Sequence, residues 1–343
     1  MTRPGRMIAS ILSILGVAGV LAACDGSAGS GGSGATTLTL YNAQHEDLMQ
    51  AVVDGFTEKT GIKVEFRSGD DAELANQIVQ EGKASPADVF VTENSPSVQV
   101  VADAGLFSPV GEAALAQVPE QYRPSSGSWV GFAARSTVLA YNPGLISESQ
   151  LPASMMDLAN PEWKGKVGFP PGGADFQAIV SAVLSLRGEA ATRTWLQGLA
   201  DGKAIYQGNS AVMQAVNEGK IPVGIMYHYY WFKDQAESGA NSNSVKLHYF
   251  KNQDPGAFVS VSGAGVLASS GHQKEAQEFV QYLTSADGQR RLAESTALEY
   301  AVANGAASAD VLPPLSTLGA PTVDPGSLNG PKVTELMQAA GLL

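Results

Sequence analysis

Tyr229 and Tyr230 stand side by side just after the apolar segment Ile221–Met226. Adjacent phenolates suit few tasks, and binding a hard trivalent metal ion is the foremost. A continuing strand would send neighbouring side chains to opposite faces. Both can reach one point only where the chain turns from strand into helix. Taken alone, Tyr229-Tyr230-Trp231-Phe232 is more often an aromatic rim or core cluster than a metal site. Two other short segments carry groups that would complete a metal site: Tyr41-Asn-Ala-Gln-His45 and Val91-Thr-Glu93-Asn94. Read singly, His45 suits a solvated loop and Glu93 suits a cap on a helix starting near Ser95-Pro96.

The elements between these segments decide how they are positioned. Leu38–Tyr41 alternates as a strand, and Glu46–Lys59 reads as a helix on the Leu48, Val52, Phe56 stripe, with Gly61 as its stop. Ile62–Phe66 is a second strand, Ala72–Lys83 a second helix and Ala87–Val91 a third strand. This β-α-β-α-β order predicts a parallel sheet with helical crossovers. The middle of the chain repeats it: strands over Val167–Phe169, Ala204–Tyr206 and Ile221–Met226, and helices over Asp175–Leu186, Thr192–Leu199 and Ala211–Glu218. Trp129–Asn142 and Ala257–Ala268 are longer extended runs able to join two halves, the second bending at its glycines. Helices over Lys274–Thr284, Asp287–Glu294 and Lys332–Ala340 close the chain. Two α/β lobes joined by two extended crossovers form a hinged, cleft-closing binding protein.

Ligands of parallel α/β sheets sit beyond the carboxyl ends of the strands. His45, Glu93 and the tyrosine pair each follow such an end, so the topology aims them at one cleft mouth. Oxygen donors with one nitrogen suit a hard ion, and the thiolates preferred by soft metals are missing from the set. Free tyrosine titrates near 10, so ionising two phenols at neutral pH is costly. A trivalent cation offsets that cost, whereas calcium or magnesium favours carboxylates and carbonyls. Ferric iron is the natural candidate.

The N-terminus sets the compartment. Arg3 and Arg6 precede an apolar run from Met7 to Leu21, and Leu21-Ala-Ala-Cys24 contains the single cysteine. That is a secretory signal over residues 1–23, too short for a comfortable membrane span. Leu-Ala-Ala-Cys resembles a bacterial lipobox, which implies cleavage before Cys24 and lipidation of its thiol. A Gly/Ser-rich tether follows over 24–37, with a reach of roughly 20 Å. Cleavage would leave 19 Lys and Arg against 33 Asp and Glu, a net charge of −14. Such a surface argues against nucleic acid and against adhesion to anionic lipid, so the only membrane contact expected is the anchor.

Four motifs in order, Tyr41-Asn-Ala-Gln-His45, Ser85–Phe90 with Glu93, Tyr229-Tyr-Trp231, and Asp254-Pro-Gly256 with Ser262-Gly-Ala264, resemble the bacterial ferric-ion-binding proteins. These are the substrate-binding components of iron(III) ABC importers. The resemblance runs from about Leu38 to Asn304. It implies a two-lobe α/β periplasmic-binding-protein fold, type II-like, with lobes 38–135 plus 260–310 and 136–259 plus 311–343. It also implies Fe(III) ligands at His45, Glu93, Tyr229 and Tyr230, and a synergistic phosphate or carbonate. Asn94, Gly172, Gly173, Asn209 and Arg135 would hold that anion, the glycines at a positive helix end. Two positions depart from the family pattern: Gly172 replaces a hydroxyl residue, and Tyr227 replaces a frequent asparagine, which makes Tyr227 a candidate third phenol. The expected protein is a monomer on the outer face of the cytoplasmic membrane, delivering iron to a permease driven by a cytoplasmic ATPase. Catalysis is not expected, because no Gly-x-Ser-x-Gly elbow, metallohydrolase histidine pair or Walker loop occurs. A binding protein for a polyamine, sugar phosphate or phosphonate is the alternative.

Overall fold

The computed structural model describes residues 36–343. The export signal, Cys24 and all but the end of the tether lie outside the described residues. Strands are β1 (Thr37–Ala43), β2 (Lys63–Ser68), β3 (Val89–Thr92), β4 (Phe107–Ser108), β5 (Val130–Tyr141), β6 (Val167–Gly168), β7 (Val223–Tyr227), β8 (Lys246–His248), β9 (Val259–Leu267) and β10 (Tyr300–Ala301). Helices are α1 (Glu46–Thr60), α2 (Asp71–Glu81), α3 (Ser95–Asp103), α4 (Glu112–Ala116), α5 (Ala174–Gly202), α6 (Asn209–Asn217), α7 (His228–Glu237), α8 (Gln273–Leu283), α9 (Ala286–Glu294) and α10 (Gly330–Ala339). No described helix is long and apolar enough to cross a membrane.

The repeated β/α order is present along the sheet. Leu48, Val52 and Phe56 of α1 are buried, and Gly61 ends that helix at φ 76°, its N–H donating to Thr57 O at 2.8 Å. α5 runs over the span expected for two helices, but Gly188 at φ 78° breaks it into two segments. Ile205 makes only an isolated bridge to Phe169 where a strand was expected. Thr37 belongs to β1, one residue inside the expected tether.

One path of strands runs β2-β1-β3-β9-β5-β7-β6. Pairing is parallel for β1 with β2 and β3, and for β6 with β7. It is antiparallel wherever β5 or β9 takes part. The parallel pairing expected of the β-α-β-α-β order is therefore present, and β5 and β9 run against it because they arrive as extended crossovers with no helix to restore direction. β5 is buried along its whole length. Its first half pairs with β9 and β10, and Thr137–Tyr141 pairs with β7. One strand thus belongs to both halves of the sheet. Apolar clusters pack on either side of that handover, around Phe56, Phe132 and Phe279 in one half and around Phe169, Phe176 and Trp195 in the other.

Phe132 is the extra residue of a bulge where β5 meets β9. Beside it, a Cβ on Gly131 would collide with the Tyr122 carbonyl oxygen and Val261 Cγ1. Gly131→Ala should therefore destabilise the protein by about 1–3 kcal/mol, read as a lower urea midpoint at an unchanged slope. An unchanged midpoint would mean that the crossover shifts freely at its bulge.

Candidate metal centre

Each expected donor sits where a strand gives way to a helix. His45 is the residue before α1, two positions beyond β1, and its backbone N–H donates to Gln44 Oε1 at 2.7 Å. Glu93 and Asn94 form the β3–α3 turn. Asp71, the first residue of α2, fixes that turn by accepting from Glu93 N at 2.8 Å and Asn94 N at 3.0 Å. Tyr229 and Tyr230 lie in the first turn of α7, directly after β7. The strand-to-helix turn required by two converging phenols is present, and their ring centroids lie 4.2 Å apart with the planes tilted by 31°.

The donor atoms follow one another at nearly constant spacing. His45 Nε2 lies 3.3 Å from Glu93 Oε1, and Tyr229 OH donates to the same oxygen at 3.0 Å. Tyr229 OH is 3.5 Å from Asp175 Oδ2, which Tyr230 OH reaches at 3.2 Å. A small hard cation with octahedral bonds of about 2.0–2.1 Å places adjacent donors about 2.9 Å apart. The chain of donors is slightly wider than that, as expected of groups that also repel or hydrogen-bond one another.

Asp175 was not among the residues expected from sequence. It stands in the first turn of α5, just after Gly172-Gly173, where a helix N-terminus favours negative charge. Its carboxylate accepts from Asn94 Nδ2 at 3.0 Å and Asn209 Nδ2 at 2.8 Å. The two asparagines expected to hold an exogenous anion thus hold a carboxylate of the chain itself. Gly173 N–H is engaged by Pro170 O at 3.1 Å, and Gly172 has open space around its Cα. Arg135, the expected anion charge, is fully buried and ion-paired to Glu299 Oε2 at 2.8 Å, with Glu93 Oε1 at 3.7 Å and a further hydrogen bond to Glu93 O. Tyr227 OH points at Asn94 Oδ1, 3.5 Å away, and the Arg135 guanidinium lies 6.0 Å from its ring centroid, so it meets groups beside the donor chain. Asp71 and Glu299 were also missed. Glu299 had a signal, being a lone acid inside the apolar run Ala297–Val302.

Burial and mutual charge set the protonation states. Burial, then the charges of Asp175 and Glu93, push Tyr229 well above the usual phenol range, and the same causes raise Tyr230. Tyr227 is raised likewise, by burial and then Asp175. Burial opposes ionisation of Glu93, but Arg135 and then His45 outweigh it and hold the carboxyl at about 2. Asp175 goes the other way: burial, then repulsion from Glu93, lift it to about 7. Burial lowers His45, yet Glu93 and Glu299 overcome it and the imidazole ends above its ordinary value. The metal-free site therefore keeps its phenols protonated, with both hydroxyls donating to carboxylates.

Residues 42–290 match the family described as bacterial extracellular solute-binding proteins. The Fe(3+)-binding periplasmic protein of Serratia marcescens is 58% identical over 306 residues, covering 89% of this chain and 90% of that protein. The major ferric iron-binding protein of Neisseria meningitidis serogroup B is 37% identical over 308 residues, covering 89% and 93%. The crystal structure of iron-bound HitA from Pseudomonas aeruginosa superposes with a TM-score of 0.84 at 41% identity, covering 90% of this chain and all of that one.

Asp175 carries a stability prediction. An unfolded aspartate titrates near 3.8, below the folded value of about 7. A raised carboxyl contributes stability that is complete below the unfolded value and is lost as pH rises through the folded one. Asp175→Asn should stabilise the metal-free protein at pH 8 by on the order of 2 kcal/mol, with the gain vanishing near pH 4. Thermal melts at the two pH values check this, and equal shifts at both would contradict it.

Proposed function

The chain belongs to the bacterial extracellular solute-binding protein family, and on that premise we propose that it captures ferric iron between its lobes for delivery to the permease of an ABC importer. The observation that carries this reading is the chain of donors at 3.0–3.5 Å running through His45, Glu93, Tyr229, Asp175 and Tyr230. The iron-binding relatives support it. The donors come from both halves of the sheet, so the ion would bind one lobe first and the second lobe would close on it about β5 and β9. Lobes of 38–135 with 260–310 and 136–259 with 311–343 fit the packing of α1 on α9 and of α10 on α5.

The ligand set is His45, Glu93, Tyr229 and Tyr230, with Asp175 taking the place of a separate phosphate or carbonate. Asn94 and Asn209 position Asp175, and Tyr227 is a packing neighbour of Asn94. A phosphate-bearing organic solute would need a free arginine or a serine cluster in the cleft, and Arg135 is already committed to Glu299 and Glu93. The mature protein would act as a monomer held by lipidated Cys24 at the outer face of the cytoplasmic membrane. It carries out capture and release without chemical turnover.

Iron must displace both phenolic protons, so binding weakens as pH falls. Metal-stripped protein titrated with chelated ferric iron, without phosphate or carbonate, should develop a phenolate-to-iron absorption band that saturates at one equivalent. The band should be abolished in Tyr229→Phe/Tyr230→Phe, whose affinity loss should exceed the roughly 10–100-fold typical of outer-shell changes. Tyr227→Phe should leave it unmoved. Apparent affinity should fall steadily from pH 8 to pH 5. A wild type without the band would reject the ferric reading. A band that requires added anion would reject the role given to Asp175.

A further inference from the structure

Glu299 lies outside the donor chain, yet it is 1% exposed. It sits between α9 and β10, directly after Leu298, whose left-handed backbone at φ 55° is unfavourable for a leucine. One carboxylate oxygen, Oε2, takes Arg135 Nη2 at 2.8 Å and Gln44 Nε2 at 3.4 Å. The other, Oε1, is 3.8 Å from His45 Nε2 and has no hydrogen-bond partner among the described residues. His45, Glu93 and Glu299 each present one donor atom, all within 4.8 Å of one another. The free oxygen therefore faces the same point as the donors.

Its partners decide its role. Glu299 Oε1 stands 3.8 Å from His45 Nε2, while Arg135 and Gln44 hold the other oxygen, Oε2. A carboxylate committed on one oxygen to a buried guanidinium is held back from the inner shell and suited to the next one. A buried acceptor left without a donor costs about 1–3 kcal/mol, more when it is charged. His45 cannot supply the proton once its Nε2 holds the ion. Five protein donors leave one octahedral place, which a hard cation fills with water, and a bound cation makes that water a strong hydrogen-bond donor. We propose that Glu299 Oε1 accepts a hydrogen bond from a water on the iron at the sixth place. Glu299 is thus a positioning residue for the coordinated solvent, an inference that rests on the ferric reading above. Through that bond it adds electron density to the ion, as outer-shell acceptors do.

Two measurements test this. In oxygen-17-enriched water, the ferric electron paramagnetic resonance signal of the iron-loaded wild type should broaden, because a labelled water is bound to the metal. Glu299→Gln keeps the shape but turns an acceptor into a donor. Its band should move to longer wavelength, and affinity should drop about 10–100-fold. A signal that does not broaden in the wild type overturns the proposal, even if the variant fails to fold. So does a variant whose band stays in place, whether or not its affinity or melting temperature falls, since that would leave Glu299 only as the partner of Arg135. A wild type lacking the band altogether would instead fail the ferric reading itself.

Discussion

Four carboxyl groups, Asp71, Glu93, Asp175 and Glu299, are gathered at the cleft with Arg135 as their buried cationic partner. Buried charge is tolerated only when it is paired, hydrogen-bonded or neutralised. Arg135 pairs with one oxygen of Glu299 and holds Glu93 ionised, and its charge only partly offsets the burial of the others. Asp71 is driven well above the usual carboxylate range by burial and then by Glu93, while accepting three hydrogen bonds from the Glu93–Asn94 turn. Asp175 rises for the same reasons. The metal-free cleft solves its electrostatic problem by retaining protons; in the ferric reading proposed above, a trivalent cation would solve it by replacing them, and proton release and iron capture would be one process.

The same groups tie the halves of the sheet together. Tyr229, after β7, donates to Glu93, after β3, and Asn94 donates to Asp175 at the start of α5. These bonds are neutral or singly charged in the metal-free protein, so they close the cleft weakly and reversibly. A bound ion would substitute coordination bonds for them. Between the halves lies β5, which is continuous, buried and paired on both sides of Ser136–Thr137. Arg135 sits at that handover, so the residue that orders the carboxylates also marks the place where the two halves of the sheet meet.

Much of this was legible in the sequence. Strand-end placement brought His45, Glu93, Tyr229 and Tyr230 together from segments far apart in the chain, and the glycine at 61 and the stripe of α1 were readable from local rules. The direction of β5 and β9 was not, because an extended crossover carries no helical period that says which way it pairs. Asp175 escaped notice because an acid in a first helical turn is ordinary helix chemistry. Only the three-dimensional meeting of Asn94 and Asn209 on its carboxylate turns it into part of the site. Glu299 depends on Arg135 across more than a hundred and fifty residues, a pairing that no local pattern encodes. The glycines at 172 and 173 were readable as a helix entrance, but the carboxylate that Asp175, two residues later, places between Asn94 and Asn209 was not.

Anomalous diffraction at the iron edge, from crystals loaded and grown without phosphate or carbonate, tests the central claim most directly. One peak bonded to His45, Glu93, Asp175, Tyr229 and Tyr230 is the expected result. Iron located elsewhere, or an added anion lying between Asn94 and Asn209 with Asp175 displaced, would contradict it.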